Sequence, residues 1–351
     1  MIVTRLDTTK DWRDQDCGGK RENTVHVIRY GGFGDAIQVS SVFPLLKKKG
    51  KRVSVGVTEY SYDILRNDPN IDELLFQKTD QVPNAELGEY WEKLEGLFDE
   101  VINLSGVVED KLLCLPRNKD LYFAPTEVRH KKLNRNYHEA LHDVAGLEYE
   151  FESHFFPTSS EKKWVKRERK RMKLNSDHFV IVIGLSGTSV HKAYPHMDAV
   201  IAQLLLKHPE VRIIMTGDGL CQLLELGWED EPRIFLRSGV WSIRKALSFA
   251  QSADLVLGPE TGLLNAVGME DMAKVCMLSH SSDENLTKYW RNVTPITPKG
   301  LGCYPCHKMH YGFKHCNRDE ETGAAMCASL IDPSDVVKAI EAHRHEFRKT
   351  A

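Results

Sequence analysis

The sequence predicts an α/β protein with two Rossmann-like domains, each built on a doubly wound parallel sheet, that face each other across a cleft. Three observations predict this class. The chain has 351 residues, more than one compact core usually supports. Short apolar runs alternate with longer amphipathic ones, as in parallel sheets whose strands are connected by helices. The alternation begins near residue 24 and restarts near residue 178, so each half carries its own sheet.

The first domain is predicted to span residues 1–158. Its first buried strand, 25–28, leads into a glycine turn and a helix from about Asp35 to Lys49. The remaining elements predicted for this domain are strands at 53–57, 71–76 and 101–104 and a short helix at 60–67.

A charged, helix-prone segment at 159–175 separates the two halves, and the second domain is predicted at 178–332. The chain ends with a predicted helix, within 333–351, that is able to pack back on the first domain. The strands predicted for the second domain are 179–184, 211–215, 233–236, 255–257 and 274–278.

Composition and charge restrict the class of protein. The hydrophobic share of 41% and the charged share of 28% are near the averages of globular proteins, and no apolar run approaches the roughly 20 residues that cross a bilayer. The polar stretch 7–23 follows the start without the apolar region of a signal peptide. We therefore expect a cytoplasmic protein, either free or peripheral at the inner face of the membrane.

Basic clusters occur at 47–52, 129–135 and 162–171, although the formal net charge is only -3. Such runs are usually solvated helix faces. The alternative is a site for a polyanionic acceptor or a membrane surface.

The first chemical motif follows the first predicted strand, where Gly31, Gly32 and Gly34 precede Asp35. Glycines let the backbone approach a ligand at the point where a helix N-terminus opens toward it. Taken alone, this pattern is also typical of a helix whose first-turn carboxylate is a cap.

The order of several motifs decides between these interpretations. Gly34-Asp35 is followed by Phe43-Pro44, by the segment 65–72 (LRNDPNID), by 184–195 (GLSGTSVHKAYP) and by 253–266 (ADLVLGPETGLLNA). From about Val25 to Ile340 this order resembles glycosyltransferase family 9, the bacterial heptosyltransferase group. The resemblance implies the GT-B fold and an inverting glycosyltransferase, with Asp35 as the base that deprotonates the acceptor hydroxyl.

The resemblance also implies a donor site for a nucleotide diphosphate sugar in the second domain. Hydroxyls and backbone amides of the 184–195 loop would hold phosphate, and Lys192 would offset its charge. Two residues depart from the family pattern, because Glu260 replaces the usual Asp and Asn265 stands where relatives carry His. The donor-binding residues expected in this way are Gly32, Gly34, Ser186, Gly187, Thr188, Gly217, Trp241, Glu260, Thr261, Gly262, Leu263 and Asn265. For several of them a structural role is the alternative: a turn for Gly217, a core aromatic for Trp241 and a helix cap for Glu260.

Four of the eight cysteines fall in one short segment: Cys303, Cys306, Cys316 and Cys327. A CxxC pair with two further cysteines nearby favours a structural zinc site that holds an irregular loop. His307, His310 or His315 could replace one thiolate, and free or redox-linked thiols are the alternative. No catalytic metal is expected, since GT-B enzymes commonly need none.

For the acceptor, the resemblance points to an anionic glycan or glycolipid of the bacterial lipopolysaccharide type. The basic segments would equally suit DNA phosphates, so a phage-type enzyme that glycosylates a hydroxymethylated base in the host cytoplasm is the runner-up. A nucleotide-sugar epimerase and a non-catalytic nucleotide-sugar-binding protein are the remaining alternatives.

Overall fold

A computed structural model describes residues 1–350, which form two compact units. The first unit contains residues 1–108 and 137–156, and the second contains residues 109–136 and the chain from Pro157 onward. The last residue of the predicted C-terminal segment 333–351 lies outside the described residues.

The strands and helices follow one another as β1 (Ile2–Arg5), β2 (Thr24–Ile28), α1 (Phe33–Val39), α2 (Phe43–Lys48), β3 (Arg52–Val57), α3 (Glu59–Leu65), β4 (Glu73–Phe76), α4 (Leu87–Glu95), β5 (Glu100–Asn103), α5 (Val107–Lys111), α6 (Lys119–Tyr122), α7 (Thr126–Leu133), α8 (Tyr137–Ala145), α9 (Ser159–Arg171), β6 (Phe179–Gly184), α10 (Met197–Lys207), β7 (Val211–Thr216), β8 (Ile234–Leu236), α11 (Ile243–Ala250), β9 (Leu255–Pro259), α12 (Gly262–Val267), β10 (Ala273–Met277), β11 (Val293–Ile296), α13 (Met326–Ser329) and α14 (Pro333–Thr350).

The sheet of the first unit has the order β1-β4-β3-β2-β5, and its paired strands are all parallel. Every residue of β2 is buried, as expected for a strand covered on both faces. The strand order reverses between β2 and β5, so the turn after β2 opens at the switch point of this sheet, where α/β proteins bind ligands.

The helix predicted from Asp35 to Lys49 is interrupted. It consists of α1, a 3₁₀ turn at Ser40–Val42 and α2, whose first turn contains Pro44. Proline cannot donate a backbone hydrogen bond inside a helix. The hydroxyls of Ser40 and Ser41 also bond to the carbonyls of Ile37 and Gln38, which competes with regular helix bonding.

The sheet of the second unit has the order β11-β10-β9-β6-β7-β8, again with parallel pairs. Counted from β6, this is the strand order of a Rossmann fold. All six residues of β6 are buried. The switch point lies between β6 and β9, and the loops that follow these two strands carry the second and third sequence motifs.

The chain between α5 and α8 belongs to the second unit rather than to the first, although the sequence placed it within 1–158. The backbone of Cys114 bonds to His307 and Met309, with N···O distances of 2.6 and 2.9 Å. The Asn285 amide donates to the carbonyls of Leu133 and Arg135. Residues 109–136 therefore pack against the cysteine-rich segment.

The last helix, α14, packs within the second unit. Val336, Val337, Ala339 and Ile340 are buried in the core cluster that contains the strands of the second sheet. This differs from the expectation that the helix returns to the first domain. Among residues 1–350, no helix combines the length and the apolar character needed to cross a bilayer.

Candidate active site

Asp35 lies in the first turn of α1, directly after β2, and its side chain is 29% exposed. One carboxylate oxygen accepts a hydrogen bond from the buried Arg29 guanidinium at 2.7 Å, and the other accepts from the Gly32 amide at 2.8 Å. Each carboxylate oxygen has two lone pairs, so both keep the capacity to accept a further proton donor. Asp35 is therefore both a helix cap and an oriented, accessible base candidate.

The turn before Asp35 requires glycine. Gly31 has φ +158°, and a Cβ at this position would lie 2.5 Å from the carboxylate oxygen Oδ2 of Asp35. The Gly31 backbone thus lies so close to the Asp35 carboxylate that any residue with a Cβ would clash with it. Gly32 donates to the same oxygen, and Gly34 lies within α1, so neither is placed by the structure at a separate donor site.

In the second unit, the structure brings together the loop after β6 and the loop after β9. A Cβ on Gly187 would lie 2.7 Å from Cδ of Lys192 and 3.2 Å from Cγ2 of Thr261. A Cβ on Gly184 would lie 3.0 Å from Leu263, and one on Gly258 would lie 2.7 Å from the Gly184 carbonyl oxygen. These loops are in close contact at the switch point of the sheet.

The hydroxyl of Thr261 is the polar group that stands out in this contact. Its oxygen is buried and has no hydrogen-bond partner among the described residues. Buried hydroxyls are normally paired, and an orphan of this kind calls for an explanation. In the loop that contacts Thr261, Gly187 and Thr188 are exposed and Ser186 is half-buried.

Glu260 is 4% exposed and already engaged by the protein. Its Oε1 accepts hydrogen bonds from the amides of Ser279 and His280 at 2.6 and 3.0 Å. Its Oε2 lies 2.9 Å from Nδ1 of His280, an ion-pair contact without good hydrogen-bond alignment. Burial alone would raise the pKa of Glu260, but His280, Lys192 and the Ser279 amide lower it well below its usual range. The carboxylate thus holds the 279–281 turn, and its contact with a donor sugar stays a prediction.

Three other donor-site candidates are occupied by internal contacts. The Asn265 amide donates to the Thr261 carbonyl at 3.1 Å. Trp241 is 9% exposed and packs against Trp164 and Phe249, with ring centroids 5.1 and 4.9 Å away, so it is a core aromatic in this structure. A Cβ on Gly217 would lie 2.4 Å from Cys221, which gives this glycine a packing role. Gly262 and Leu263 form the first turn of α12.

The four predicted metal-ligating cysteines line one cavity of about 90 Å³, but they do not form a four-sulfur cluster. Cys306 is instead grouped with His191 and His310, with one potential ligand atom from each residue within 4.8 Å of the others. Cys303 is exposed, Cys316 is half-buried and Cys327 is buried, and none of the three belongs to this group. The four-cysteine ligand set stays a prediction, and His191, Cys306 and His310 form a second candidate set.

Sequence reasoning missed the residues that support the site. Arg29 directly follows β2 and is 2% exposed, and a charged residue next to a buried strand is a signal that was available in the sequence. His191 lies between Thr188 and Lys192 in the predicted phosphate loop. Burial, together with the rings of His280 and His310, lowers the pKa of His191 to about 2, so this ring is neutral at physiological pH.

No model of a known protein family matches the sequence, and no curated protein matches it. Solved structures do. A glycosyltransferase of family 9 from Veillonella parvula has a TM-score of 0.66 at 14% identity, covering 94% of this chain and 100% of that one. The Escherichia coli ADP-heptose lipopolysaccharide heptosyltransferase II has a TM-score of 0.62 at 13% identity, covering 92% and 99%.

The iron-containing dodecameric glycosyltransferase TibC of enterotoxigenic E. coli has a TM-score of 0.59 at 14% identity, covering 94% of this chain and 78% of that one. At these identities a likeness establishes the fold. The expected architecture is therefore confirmed, and the chain has the GT-B fold, with two Rossmann-like units, of the solved family 9 glycosyltransferases and heptosyltransferases.

Proposed function

We propose that this chain is an inverting glycosyltransferase. Its second unit binds a nucleotide diphosphate sugar, and Asp35 of its first unit removes the proton from an acceptor hydroxyl. The observation that carries the proposal is the group formed by Gly187, Lys192 and the unpaired Thr261 hydroxyl at the switch point of the second sheet. The fold shared with solved glycosyltransferases supports the same conclusion.

The proposed reaction is a single displacement. The Asp35 carboxylate takes the acceptor proton as the acceptor oxygen attacks the anomeric carbon, and the bond to the diphosphate breaks on the opposite face of the sugar. Negative charge develops on the leaving diphosphate, where the Lys192 ammonium, the Thr261 hydroxyl and the exposed amides of the 186–188 turn stabilise it. Hydrogen bonds from Arg29 and the Gly32 amide fix the orientation of the Asp35 carboxylate.

The donor belongs to the class of nucleotide diphosphate sugars. Related structures contain ADP or ADP-heptose, which supports this class for the present chain. The side chains of Glu260 and Asn265 hydrogen-bond to the protein itself. This supports a donor site in which they hold the backbone around the donor and do not bind the donor directly. We leave the sugar unassigned, because both residues depart from the family pattern.

The acceptor is proposed to be an anionic glycan or glycolipid at the cytoplasmic face of a membrane. Helix α9 supports an anionic partner, since its exposed residues include Lys162, Lys163, Lys166, Arg167, Lys170 and Arg171. Its two acidic residues are paired with arginines: Glu161 contacts the buried Arg244, and the buried Glu168 contacts Arg237 and the neighbouring Arg171. Four like-charge pairs at i,i+4 destabilise a helix by about 0.2 to 0.5 kcal/mol each, and an anionic partner removes this repulsion.

A metal, in this proposal, is structural. TibC is an iron-containing protein, and the second unit of the present chain has a His/Cys/His group of its own. The transfer step uses only Asp35 and the groups around Lys192, so a metal would act on the integrity of the second unit and not on the reacting atoms.

The test is a transfer assay with the full chain, a panel of nucleotide diphosphate sugars and the Asp35→Asn variant. Loss of the base is expected to lower kcat about a thousandfold while donor affinity stays within a factor of two. Glu89→Gln, a change at an exposed acidic residue in the first turn of α4, is the matched control and keeps full activity. Turnover of Asp35→Asn at the wild-type rate with acceptor present would remove Asp35 from the mechanism.

Two acceptor arms accompany the assay: an anionic glycolipid and duplex DNA that contains a hydroxymethylated base. We expect transfer to the glycolipid. Transfer to the DNA alone, with affinity that falls steeply as salt rises, would overturn the acceptor assignment and leave the role of Asp35 intact.

A further inference from the structure

A compact group of potential metal ligands lies beside the proposed donor site. His191, Cys306 and His310 are 2%, 9% and 4% exposed, and their ligand atoms lie within 4.8 Å of one another. They come from two segments that are distant in sequence: the loop after β6, which also carries Lys192, and the cysteine-rich segment 303–327.

Both histidine rings are oriented through the same nitrogen. Nδ1 of His191 lies 2.8 Å from the Ser189 hydroxyl, and Nδ1 of His310 lies 2.6 Å from the Tyr122 hydroxyl. These bonds leave Nε2 of each ring for another partner. Nε2 of His191 is buried without a hydrogen-bond partner among the described residues. Histidine ligands of metals show this arrangement, with one nitrogen on the ion and the other fixed by a polar neighbour.

We propose that His191, Cys306 and His310 bind one zinc-class divalent transition-metal ion, which clips the donor loop to the cysteine-rich segment. Two imidazoles and one thiolate form a donor set that suits Zn²⁺, while hard ions such as Mg²⁺ prefer oxygen. All three residues line the cavity of about 90 Å³ that Cys303 and Cys316 also line, so a fourth ligand would come from this cavity.

A cluster of buried histidines without a metal is the simplest competing interpretation. A water molecule in the cavity would then satisfy Nε2 of His191, and the thiol of Cys306 would remain an ordinary buried cysteine. The other competitor is the four-cysteine site that the sequence suggests. The three interpretations differ in metal content and in which substitutions abolish it.

The position of the ion gives it a consequence for the donor site, and this second step rests on the proposed function. The amide of Val190 donates to the carbonyl of His310 at 3.1 Å, so the two segments already touch. The His191 ring is parallel to that of His280, with centroids 5.4 Å apart, and His280 contacts Glu260. An ion on His191 would therefore fix the loop that presents Lys192.

The site itself is tested by the metal content of the purified full chain, with Co²⁺ substitution as the spectroscopic readout. We expect one equivalent of bound Zn²⁺ and, with Co²⁺, a thiolate charge-transfer band. His191→Gln, Cys306→Ser and His310→Gln are each expected to lower the metal content at least tenfold. Cys303→Ser and Cys327→Ser, at cysteines that line the same cavity, are the matched controls and retain the ion.

Two results would overturn the site. One is wild-type protein without stoichiometric metal after growth and refilling in Zn²⁺. The other is metal lost in Cys303→Ser and Cys327→Ser but kept in His191→Gln, which assigns the ion to the cysteines. If a variant fails to fold, the Co²⁺ spectrum of the wild type still separates the two sites, because one thiolate ligand gives a weaker charge-transfer band than four.

The clip is tested by donor affinity. Chelation is expected to raise the Kd for the nucleotide diphosphate sugar at least fivefold, and one equivalent of Zn²⁺ is expected to restore it. Bound metal with unchanged donor affinity would overturn the clip and leave the metal site standing. If no nucleotide sugar binds in either state, the proposed function fails, while metal content still decides the site.

Discussion

Thr261 and Thr216 are both close to the switch point of the second sheet, but their hydroxyls differ in hydrogen bonding. The Thr216 hydroxyl donates to the Ile183 carbonyl at 2.9 Å. The Thr261 hydroxyl is buried without a partner among residues 1–350. A buried hydroxyl without a hydrogen-bond partner costs stability. A bound ligand that supplies the missing partner would account for the Thr261 hydroxyl.

Thr261→Val is therefore expected to weaken donor binding about tenfold, which corresponds to about 1.4 kcal/mol. Valine keeps the shape of the side chain and removes a polar atom that the protein does not pair, so stability stays within about 0.5 kcal/mol. Titration calorimetry and urea denaturation measure the two quantities.

Thr216→Val is the matched control, with the opposite pattern: a loss of about 1 kcal/mol of stability and unchanged donor affinity. Equal donor affinities in wild type and Thr261→Val would show that the hydroxyl does not contact the donor.

Single residues also mark the limit of prediction from sequence. The motif around Glu260 was recognisable as a pattern, but its engagement with the amides of Ser279 and His280 depends on a turn 19 and 20 residues away. Likewise, the cysteine spacing predicted a metal site within 303–327, whereas the grouping of Cys306 with His191 depends on a contact between segments that are distant in sequence. Such partners are set by tertiary structure and leave no local signal.

At the scale of elements, the ion pair between Glu161 and Arg244 joins α9 to α11. Arg244 donates to both carboxylate oxygens, at 2.6 and 2.7 Å, and the Thr158 amide donates to one of them at 2.7 Å. Burial acts to raise the pKa of Glu161, but Arg244 and Thr158 outweigh it and lower the pKa to about 2. The carboxylate thus completes the capping box of α9, whose N-cap is Thr158, and also holds this helix to its neighbour.

Glu161→Gln is expected to lower the free energy of unfolding by about 2 kcal/mol at pH 7, because the amide leaves Arg244 without its carboxylate. A carboxyl with a lowered folded-state pKa stabilises the protein fully above its unfolded pKa, which is near 4.5, and loses that contribution as pH falls toward about 2. The difference between wild type and variant should therefore shrink between pH 4.5 and pH 3.

Urea denaturation at several pH values measures this difference, with Glu320→Gln, at an exposed residue of the same unit, as the control. A difference that stays constant from pH 7 to pH 3 would contradict the assignment of the stabilisation to the ionised carboxylate.

The two strands that the sequence did not predict, β1 and β11, are both edge strands. β1 is four residues long, lies at the edge of its sheet and is largely exposed. β11 is also an edge strand and contains Pro295, a residue that argues against a strand in sequence and is tolerated at edges. The central strands β6 and β9 are continuous apolar runs, and β2 is apolar apart from Thr24 and His26, so burial on both faces made all three predictable.

At the scale of the whole molecule, the restart of the α/β rhythm near residue 178 was enough to predict two parallel sheets, whereas the GT-B class followed only from the resemblance to glycosyltransferase family 9. The division of the chain was harder. Residues 109–136 join the second unit through contacts such as the bond between Tyr122 and His310, which are 188 positions apart in sequence. Neither hydrophobic periodicity nor composition indicates such a contact. The assignment of residues 109–136 to the second unit therefore could not be predicted from the sequence.

The proposed division of labour between the units makes a prediction for hydrogen exchange. ADP and UDP, used as probes of the donor site, are expected to slow amide exchange at 184–192 and 258–265, because both loops surround Lys192 and Thr261. At a hundredfold excess over Kd the added stability is about 2.7 kcal/mol, well within the range that exchange detects. The segment 24–39, which contains β2 and Asp35, is expected to exchange at its original rate.

Two variants sharpen this experiment. Asp35→Asn should give the same protection map as wild type, because the proposed base does not contact the nucleotide. Thr261→Val should protect the same loops but only at about tenfold higher nucleotide concentration. Protection confined to 24–39 would place the nucleotide in the first unit and reverse the proposed roles, whereas protection of 184–192 without 258–265 would separate the two loops whose contact defines the donor site.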